Sequence, residues 1–252
     1  MAKIQRSTAR PVEDVSTLSP AAPPTKHDLR LTFVSSLFVA FGIAVVSVVG
    51  LVWGSDGLYP AEAPSVLVSR AGDAASLVVV LPSLLVSMWL ARRGSLLGPL
   101  LWPGALFYAL YTYAIYLGGA PFTVLVFGYV VLVIVSAATV IGIVAAIDGD
   151  QVRQRLATAP ARAVGGALVV IAVMAYAGLT VTALSMLGSP PSELGFRAQW
   201  VVDCTLGTPV LLLGGTLLWR HASVGYAAAP GLLLVSGLGG VAFAVAGHST
   251  DR

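Results

Sequence analysis

The sequence is poor in charged residues. Only 10% of its 252 residues are Asp, Glu, Lys or Arg, against roughly 25% in an average soluble domain. Hydrophobic residues make up 57%, and the mean hydropathy is +0.90. These values exclude a soluble globular protein and a disordered chain. A net charge of +3 is also too small for a nucleic-acid-binding surface, so the composition predicts an integral membrane protein.

Residues that build disulfides and metal centres are scarce as well. Cys204 is the single cysteine, which excludes a disulfide framework within the chain. The three histidines, His27, His221 and His248, have no metal-ligand spacing. The sequence contains no G-x-S-x-G, H-E-x-x-H or P-loop motif. We therefore predict no enzymatic activity, no cofactor and no metal site.

What the sequence does have is long apolar runs. A helix needs about 20 apolar residues to cross a hydrocarbon core, and the runs do not alternate as the strands of a barrel would. In lipid, backbone groups must be bonded within the segment, which favours helices. The sequence therefore predicts an all-α integral membrane protein with seven spans: Leu31–Trp53, Ala74–Ala91, Leu96–Leu117, Phe122–Ile147, Ala163–Leu187, Val201–Trp219 and Val224–Ala246.

Lys and Arg are distributed unequally between the two sides of this topology. Eleven fall in the N-terminal tail and the loops on its side, and three (Arg70, Arg197 and Arg252) fall on the other side. The positive-inside rule then predicts a cytoplasmic N-terminus and an external C-terminus in the cell membrane. Residues 1–30 contain four prolines and several Ser and Thr, and we interpret them as a disordered tail.

The chain matches itself at a shift of 127 residues. Over 43 ungapped positions, residues 64–106 and 191–233 share 14 identities, eight of which are Pro, Ser, Arg or Gly. In an apolar chain, identities of these residue types arise by chance less often than identities of Leu or Ala. We therefore predict an internal duplication. Spans one and five run in the same direction, which makes the two units parallel repeats. The domains predicted are a tail (1–30), repeat 1 (31–117), a linker helix with its loop (118–162), repeat 2 (163–246) and an external tail (247–252).

This 3+1+3 order of spans resembles the plan of the SWEET sugar transporters, a parallel-repeat family. The resemblance is confined to span count and repeat order, and it implies transport only by analogy of fold. The segment Arg92–Gly98 and the tyrosine-rich helix after it, about 30 residues, also resemble an uncharacterised family of prokaryotic multi-pass membrane proteins. That resemblance implies no activity.

Polar residues cluster towards the predicted outer side. Arg70 and Arg197 are equivalent in the repeat, Asp73 follows Arg70 by three residues, and Asp203 is the one acid placed inside a span. These four residues could line an outer vestibule, or they could be interfacial charges that close the helix starts. For Asp203 we expect a partner, either an arginine or a tyrosine of span three, because burying its charge is costly.

Span three adds tyrosines, and two prolines mark the middle of spans two and six. Tyr108, Tyr111 and Tyr116 fall on one helical face and could bind a solute. Packing within the bundle is the alternative, and Tyr113 and Tyr116 are equally compatible with an aromatic belt. Pro82 and Pro209 are equivalent in the repeat and could act as hinges or as static kinks.

Two functions remain open at this level. The parallel repeat, the paired prolines and the polar outer face favour a transporter or facilitator of a small neutral solute. The near absence of charge within the spans and of any known transport motif favours a scaffold, an accessory subunit or a sensor. In either case the lipid bilayer is the expected partner, and the oligomeric state is undetermined.

Overall fold

The computed structural model describes residues 29–53, 70–120, 122–187 and 194–250, and within these ranges the chain is helical with no strand. Seven of the described helices are long and apolar enough to cross a membrane, which confirms the predicted all-helical fold within these ranges and the predicted number of helices of spanning length. The tail 1–30, apart from its last two residues, lies outside the described residues, as do positions 64–69 and 191–193 of the repeat match and the last two residues of the external tail.

The observed helices follow the predicted spans closely. Those corresponding to spans two and six begin at Arg70 and Arg197, four residues earlier than predicted, and the last helix continues four residues past Ala246. The helices are α1 (Arg30–Trp53), α2 (Arg70–Arg92), α3 (Leu97–Gly119), α4 (Val124–Ala146), α5 (Gly149–Arg155), α6 (Ala161–Ser185), α7 (Arg197–Trp219, with helical residues from Leu194) and α8 (Ser223–Thr250).

Helix α3 lies at the centre of the bundle. It packs against α2, α4, α7 and α8, while α1 packs on α2 and α4, and α6 packs mainly on α7. From Gly98 to Ala109 all but one of its residues are buried, and the Trp102 indole donates to the Ser36 hydroxyl at 3.0 Å. Large apolar side chains such as Phe41, Phe127 and Met174 are exposed on the outer helices, the distribution expected where lipid replaces water.

Helices α2 and α7 each contain one widened turn. The α2 break, as we name Ser76–Val80, and the α7 break, Asp203–Gly207, are π-helical, with bonds from residue i+5 to residue i. Each is followed at the second position by a proline, Pro82 or Pro209. Proline has no N–H and its ring collides with the carbonyl four residues earlier, so a regular α-turn cannot continue through it. A π-turn placed before the proline moves that carbonyl out of register.

The turns that follow the two broken helices share the same hydrogen bonds. In the α2–α3 turn the Ser95 N–H donates to the Leu90 carbonyl, and in the α7–α8 turn the Ala222 N–H donates to the Leu217 carbonyl. The residue that turns the chain is left-handed in both, Gly94 at φ 73° and His221 at φ 57°. Every one of these positions is offset by 127 residues, the shift of the sequence match.

Helices α3 and α8 approach each other through equivalent glycines. A Cβ on Gly104 would meet the Cα and the carbonyl oxygen of Gly231 at 2.5 Å, well inside van der Waals contact. Gly231 in turn lies against Gly104 and the Leu100 carbonyl. Because residues 104 and 231 are 127 positions apart, this contact is formed between equivalent positions of the sequence match. The two backbones can approach this closely only where neither helix carries a side chain.

The charges gather at the ends of the bundle. Arg92, Arg93, Arg155, Arg162 and Arg220 lie at one end, which we call the arginine-rich end. The short helix α5 also lies there. Its first turn is capped by Asp148, whose carboxylate accepts from the N–H groups of Asp150 and Gln151. Helix α5 was not predicted from the sequence, although an Asp followed by Gln three residues later resembles a capping box.

Candidate functional site

The α7 break brings together several of the predicted residues. Asp203, its first residue, accepts a hydrogen bond of 2.5 Å from the Tyr111 hydroxyl of α3. The Tyr111 ring lies over Gly207, the last residue of the break, where a Cβ would come within 3.3 Å of the ring. Tyr108 lies beside Tyr111 with ring centroids 6.1 Å apart. The break therefore presents a carboxylate next to two aromatic rings.

The break is also bonded to its other neighbour, α6. In the i+5 pattern the backbone donor for the Cys204 carbonyl would be residue 209, which is a proline. The Tyr176 hydroxyl of α6 donates to that carbonyl instead, at 3.1 Å. One turn away, the Trp200 indole donates to the Leu179 carbonyl at 3.0 Å. A side chain of α6 thus satisfies a carbonyl that the break leaves without a backbone donor, as an apolar environment requires.

A second polar cluster surrounds Tyr113. This side chain is almost completely buried, at 1% exposure, and its hydroxyl lies 3.3 Å from the Ser47 hydroxyl of α1. Its ring stacks on Tyr129 of α4 at 5.8 Å. Asp73, which is fully buried, and Ser76 lie near enough to interact electrostatically with the Tyr113 hydroxyl. The cluster links α1, α2, α3 and α4 next to the α2 break.

Tyr116 belongs to this second cluster. Its ring centroid lies 5.9 Å from that of Tyr113 and 5.5 Å from that of Tyr129. Its hydroxyl lies directly over Gly72, where α2 presents no side chain. The tyrosines expected on one face of span three are therefore divided between two clusters, Tyr108 and Tyr111 at the α7 break and Tyr116 near the α2 break.

The two predicted vestibule arginines lie at the periphery. Arg70 and Arg197 are exposed, and the Arg70 guanidinium donates to the Leu51 carbonyl near the end of α1 at 3.1 Å. A cation at the C-terminal carbonyls of a helix suits the helix dipole. Among the described residues Asp203 forms no salt bridge, so its partner is the tyrosine and neither arginine.

Tyr113, Tyr129 and Tyr176 are the residues that the sequence analysis placed in no site. Tyr113 was assigned to an aromatic belt as readily as to the interior. Span three is apolar on every side, so no polar face of the helix shows which face is buried. Tyr129 and Tyr176 are single tyrosines in otherwise apolar helices. A tyrosine surrounded by aliphatic residues at mid-span was the available signal, since its hydroxyl requires a partner there.

The bond between Asp203 and Tyr111 predicts a measurable coupling. Asp203→Asn and Tyr111→Phe should each lower the thermal stability of the purified protein, and the double variant should lose less than the sum. Charge-assisted bonds are stronger than neutral ones, and polar pairs in membrane helices reach a coupling of about 1.7 kcal/mol. We expect a coupling of about 1–2 kcal/mol.

The measurement is a double-mutant cycle from reversible unfolding in detergent. Tyr108→Phe is the matched control, because the Tyr108 hydroxyl makes no hydrogen bond among the described residues. Combined with Asp203→Asn it should give additive changes. Strict additivity for the Tyr111 pair would contradict a bond that stabilises the protein.

Comparison with protein families, with curated proteins and with solved structures finds no significant match to this chain. Its function must therefore be inferred from its own residues and their arrangement.

Proposed function

We propose that this chain is a multi-pass protein of the cell membrane, built from two parallel three-helix repeats, and that it moves a small solute across the bilayer. One observation carries the proposal: α2 and α7 are broken at positions 127 residues apart, each by a π-turn and a proline. Paired interruptions in corresponding helices of two repeats are the feature that best indicates a solute site in transporters.

The repeat itself is supported by three coincidences beyond the sequence match. The breaks, the left-handed turns and the glycine contact between α3 and α8 all obey the same 127-residue shift. A contact between equivalent residues is what a two-fold axis between the halves requires. Parallel repeats place that axis along the membrane normal.

The polar groups at the breaks support a solute site over a purely structural kink. A static proline kink needs only that its carbonyls be satisfied. The α7 break has in addition the Asp203 carboxylate, which is bonded to Tyr111 of α3 beside Tyr108, and Gly207, which lies against the Tyr111 ring. Polar residues inside membrane spans are costly and mark function by default.

The packing between α3 and α8 favours a second candidate. Around Gly104 and Gly231 the two halves are in backbone contact, and most of α3 from Gly98 to Ala109 is buried. A bundle closed in this region suits a scaffold, an accessory subunit or a sensor. A transporter must separate or rotate these halves during its cycle.

Solute flux into proteoliposomes tests the proposal. Stopped-flow light scattering would follow the swelling of vesicles in a series of small solutes, from urea and glycerol to hexoses. We expect at least one solute to enter faster than into protein-free vesicles. Gly207→Leu should abolish the difference, because a Cβ at this position already comes within 3.3 Å of the Tyr111 ring and a longer side chain must displace that ring from Asp203.

The matched control is Gly178→Leu on α6, where a Cβ would meet nothing within 4 Å. It should keep the wild-type rate. Swelling rates equal to those of protein-free vesicles for every solute, with correctly inserted protein, would favour the second candidate.

The orientation is tested by labelling intact cells. In a Cys204→Ser background, Thr158→Cys should resist a membrane-impermeant thiol reagent, and Ser185→Cys should react. Both positions are exposed and lie at opposite ends of α6, with Thr158 at the arginine-rich end that the positive-inside rule assigns to the cytoplasm. The reverse labelling pattern would invert the topology.

A further inference from the structure

We propose that the α7 break binds an organic ammonium cation, through the Asp203 carboxylate and the ring faces of Tyr108 and Tyr111. This inference rests on the proposed function, because it names the chemical class of the solute. It departs from the neutral solute that the scarcity of charge in the spans predicts.

Asp203 lies inside the apolar span without a cationic partner among the described residues. The residue lies six positions after Arg197, the start of the apolar span, which is about 9 Å along the helix axis at roughly 1.5 Å per residue. Its observed partner, the Tyr111 hydroxyl, is neutral. Among the described residues no Lys, Arg or His forms a salt bridge with it. A carboxylate withdrawn from part of its water is normally paired with an opposite charge, and the described chain supplies none to Asp203, so the pairing cation must come from outside the chain.

The groups around Asp203 indicate the kind of cation. Ca²⁺ requires six to eight oxygen ligands and Mg²⁺ requires an octahedron. The described residues contain no group of three or more His, Cys, Asp or Glu that could hold a metal ion. One carboxylate flanked by two aromatic rings is instead the set that suits an alkylammonium group, which is attracted to ring faces and needs few directed ligands.

The carboxylate and one of the rings must also be accessible to an ammonium group. Asp203 and Tyr111 are partly exposed, and Tyr108 is buried at 9% exposure. The rings of Tyr108 and Tyr111 are tilted by 37° with centroids 6.1 Å apart. Gly207 lies against one side of the Tyr111 ring, where a Cβ would come within 3.3 Å, so a ligand must approach the ring from another side. The Tyr111 hydroxyl holds the carboxylate on the side of the rings. An ammonium group placed beside the carboxylate can therefore contact an aromatic face at the same time.

The test is a thermal-shift titration of the full-length protein in detergent. The probes are methylammonium, tetramethylammonium and choline chlorides, with sodium chloride at equal ionic strength as the control. A further control is 3,3-dimethylbutan-1-ol, the uncharged isostere of choline. At least one ammonium salt should raise the Tm with a saturable dose dependence, while sodium chloride and the alcohol should not. No shift with any ammonium salt, or an equal shift with sodium chloride, overturns the inference.

Two pairs of variants locate the site. Asp203→Asn should weaken ammonium binding at least tenfold, since truncating one member of a close charge pair is costly, and Asp150→Asn at the arginine-rich end should leave it unchanged. If Asp203→Asn does not fold, the ammonium affinities of Tyr108→Leu and Tyr108→Phe are compared with that of the wild type. Removing the ring should weaken binding several-fold, and removing only the hydroxyl should not. Equal affinities in Tyr108→Leu and wild type would contradict the aromatic contact.

The inference and the proposed function fail in different ways. Solute flux without ammonium binding would remove the cation site and leave the transporter. Ammonium binding that depends on Asp203, without flux of any solute or of the ammonium ion itself, would leave the site and make the protein a sensor.

Discussion

Replacing Gly104 by alanine is expected to destabilise the protein by about 3 kcal/mol, the upper end of the usual range for an overpacked interior. The added Cβ would meet the backbone of Gly231 at 2.5 Å, where only a separation of α3 from α8 can relieve the overlap. A flexible side chain could move aside, but a backbone carbonyl within a helix cannot. The two helices would be forced apart at this contact.

The same substitution at Gly231 should cost less, about 1 kcal/mol, because its Cβ would lie 3.1–3.2 Å from atoms of Gly104 and Leu100. Gly237→Ala, on the same helix but exposed and with nothing within 4 Å, should stabilise the protein by about 0.5–1 kcal/mol, since alanine is the better helix former. Reversible unfolding in detergent measures all three. Equal effects at 104, 231 and 237 would contradict a close contact between the repeats.

Tyr113→Ala is expected to have the other large effect, also about 3 kcal/mol or more, as for truncation of a buried aromatic residue. The substitution would empty the space between α1, α3 and α4, and it would remove the hydroxyl that faces Ser47. Lipid cannot fill a cavity enclosed by these helices, so the lost packing is not recovered.

Two control variants distinguish the effect of losing the buried ring from the effect of losing the hydroxyl and from the effect of truncating any aromatic side chain. Tyr113→Phe keeps the ring and should cost only about 1 kcal/mol, the value of one hydrogen bond. Phe127→Ala removes an aromatic ring of α4 that is 69% exposed, and it should change the unfolding free energy of the purified protein far less than Tyr113→Ala. If the two alanine variants were equally mild, the cluster around Tyr113 would not be a structural centre.

The number of long helices and their approximate bounds were accessible from the sequence. Run length and hydropathy determine the spans, because a helix must be apolar over its whole crossing. The boundaries at Arg70 and Arg197 were placed too late, since a charged residue in a first turn was treated as loop although such a turn can extend into the interface.

The breaks could not be predicted in the same way. A π-turn has no composition of its own, and Pro82 and Pro209 were the only indication that α2 and α7 depart from regular helices. The partition of the tyrosines was likewise inaccessible. A helical wheel assumes that one face is interior, whereas the first half of α3 is buried on nearly all sides. Which neighbour each tyrosine meets depends on tertiary contacts, such as Gly72 below Tyr116.

The π-turns also carry information about ancestry. A π-turn takes one more residue than the α-turn it replaces, so each break amounts to a single-residue insertion in a helix. If the halves arose from one gene that doubled, an insertion at the same place in both, followed by proline at the same distance, was present before the doubling. The first residue of the break then differs: serine in one half, aspartate in the other. Under such a duplication the break and its proline are the older traits, and the first residue of the break is a position at which the copies have since diverged.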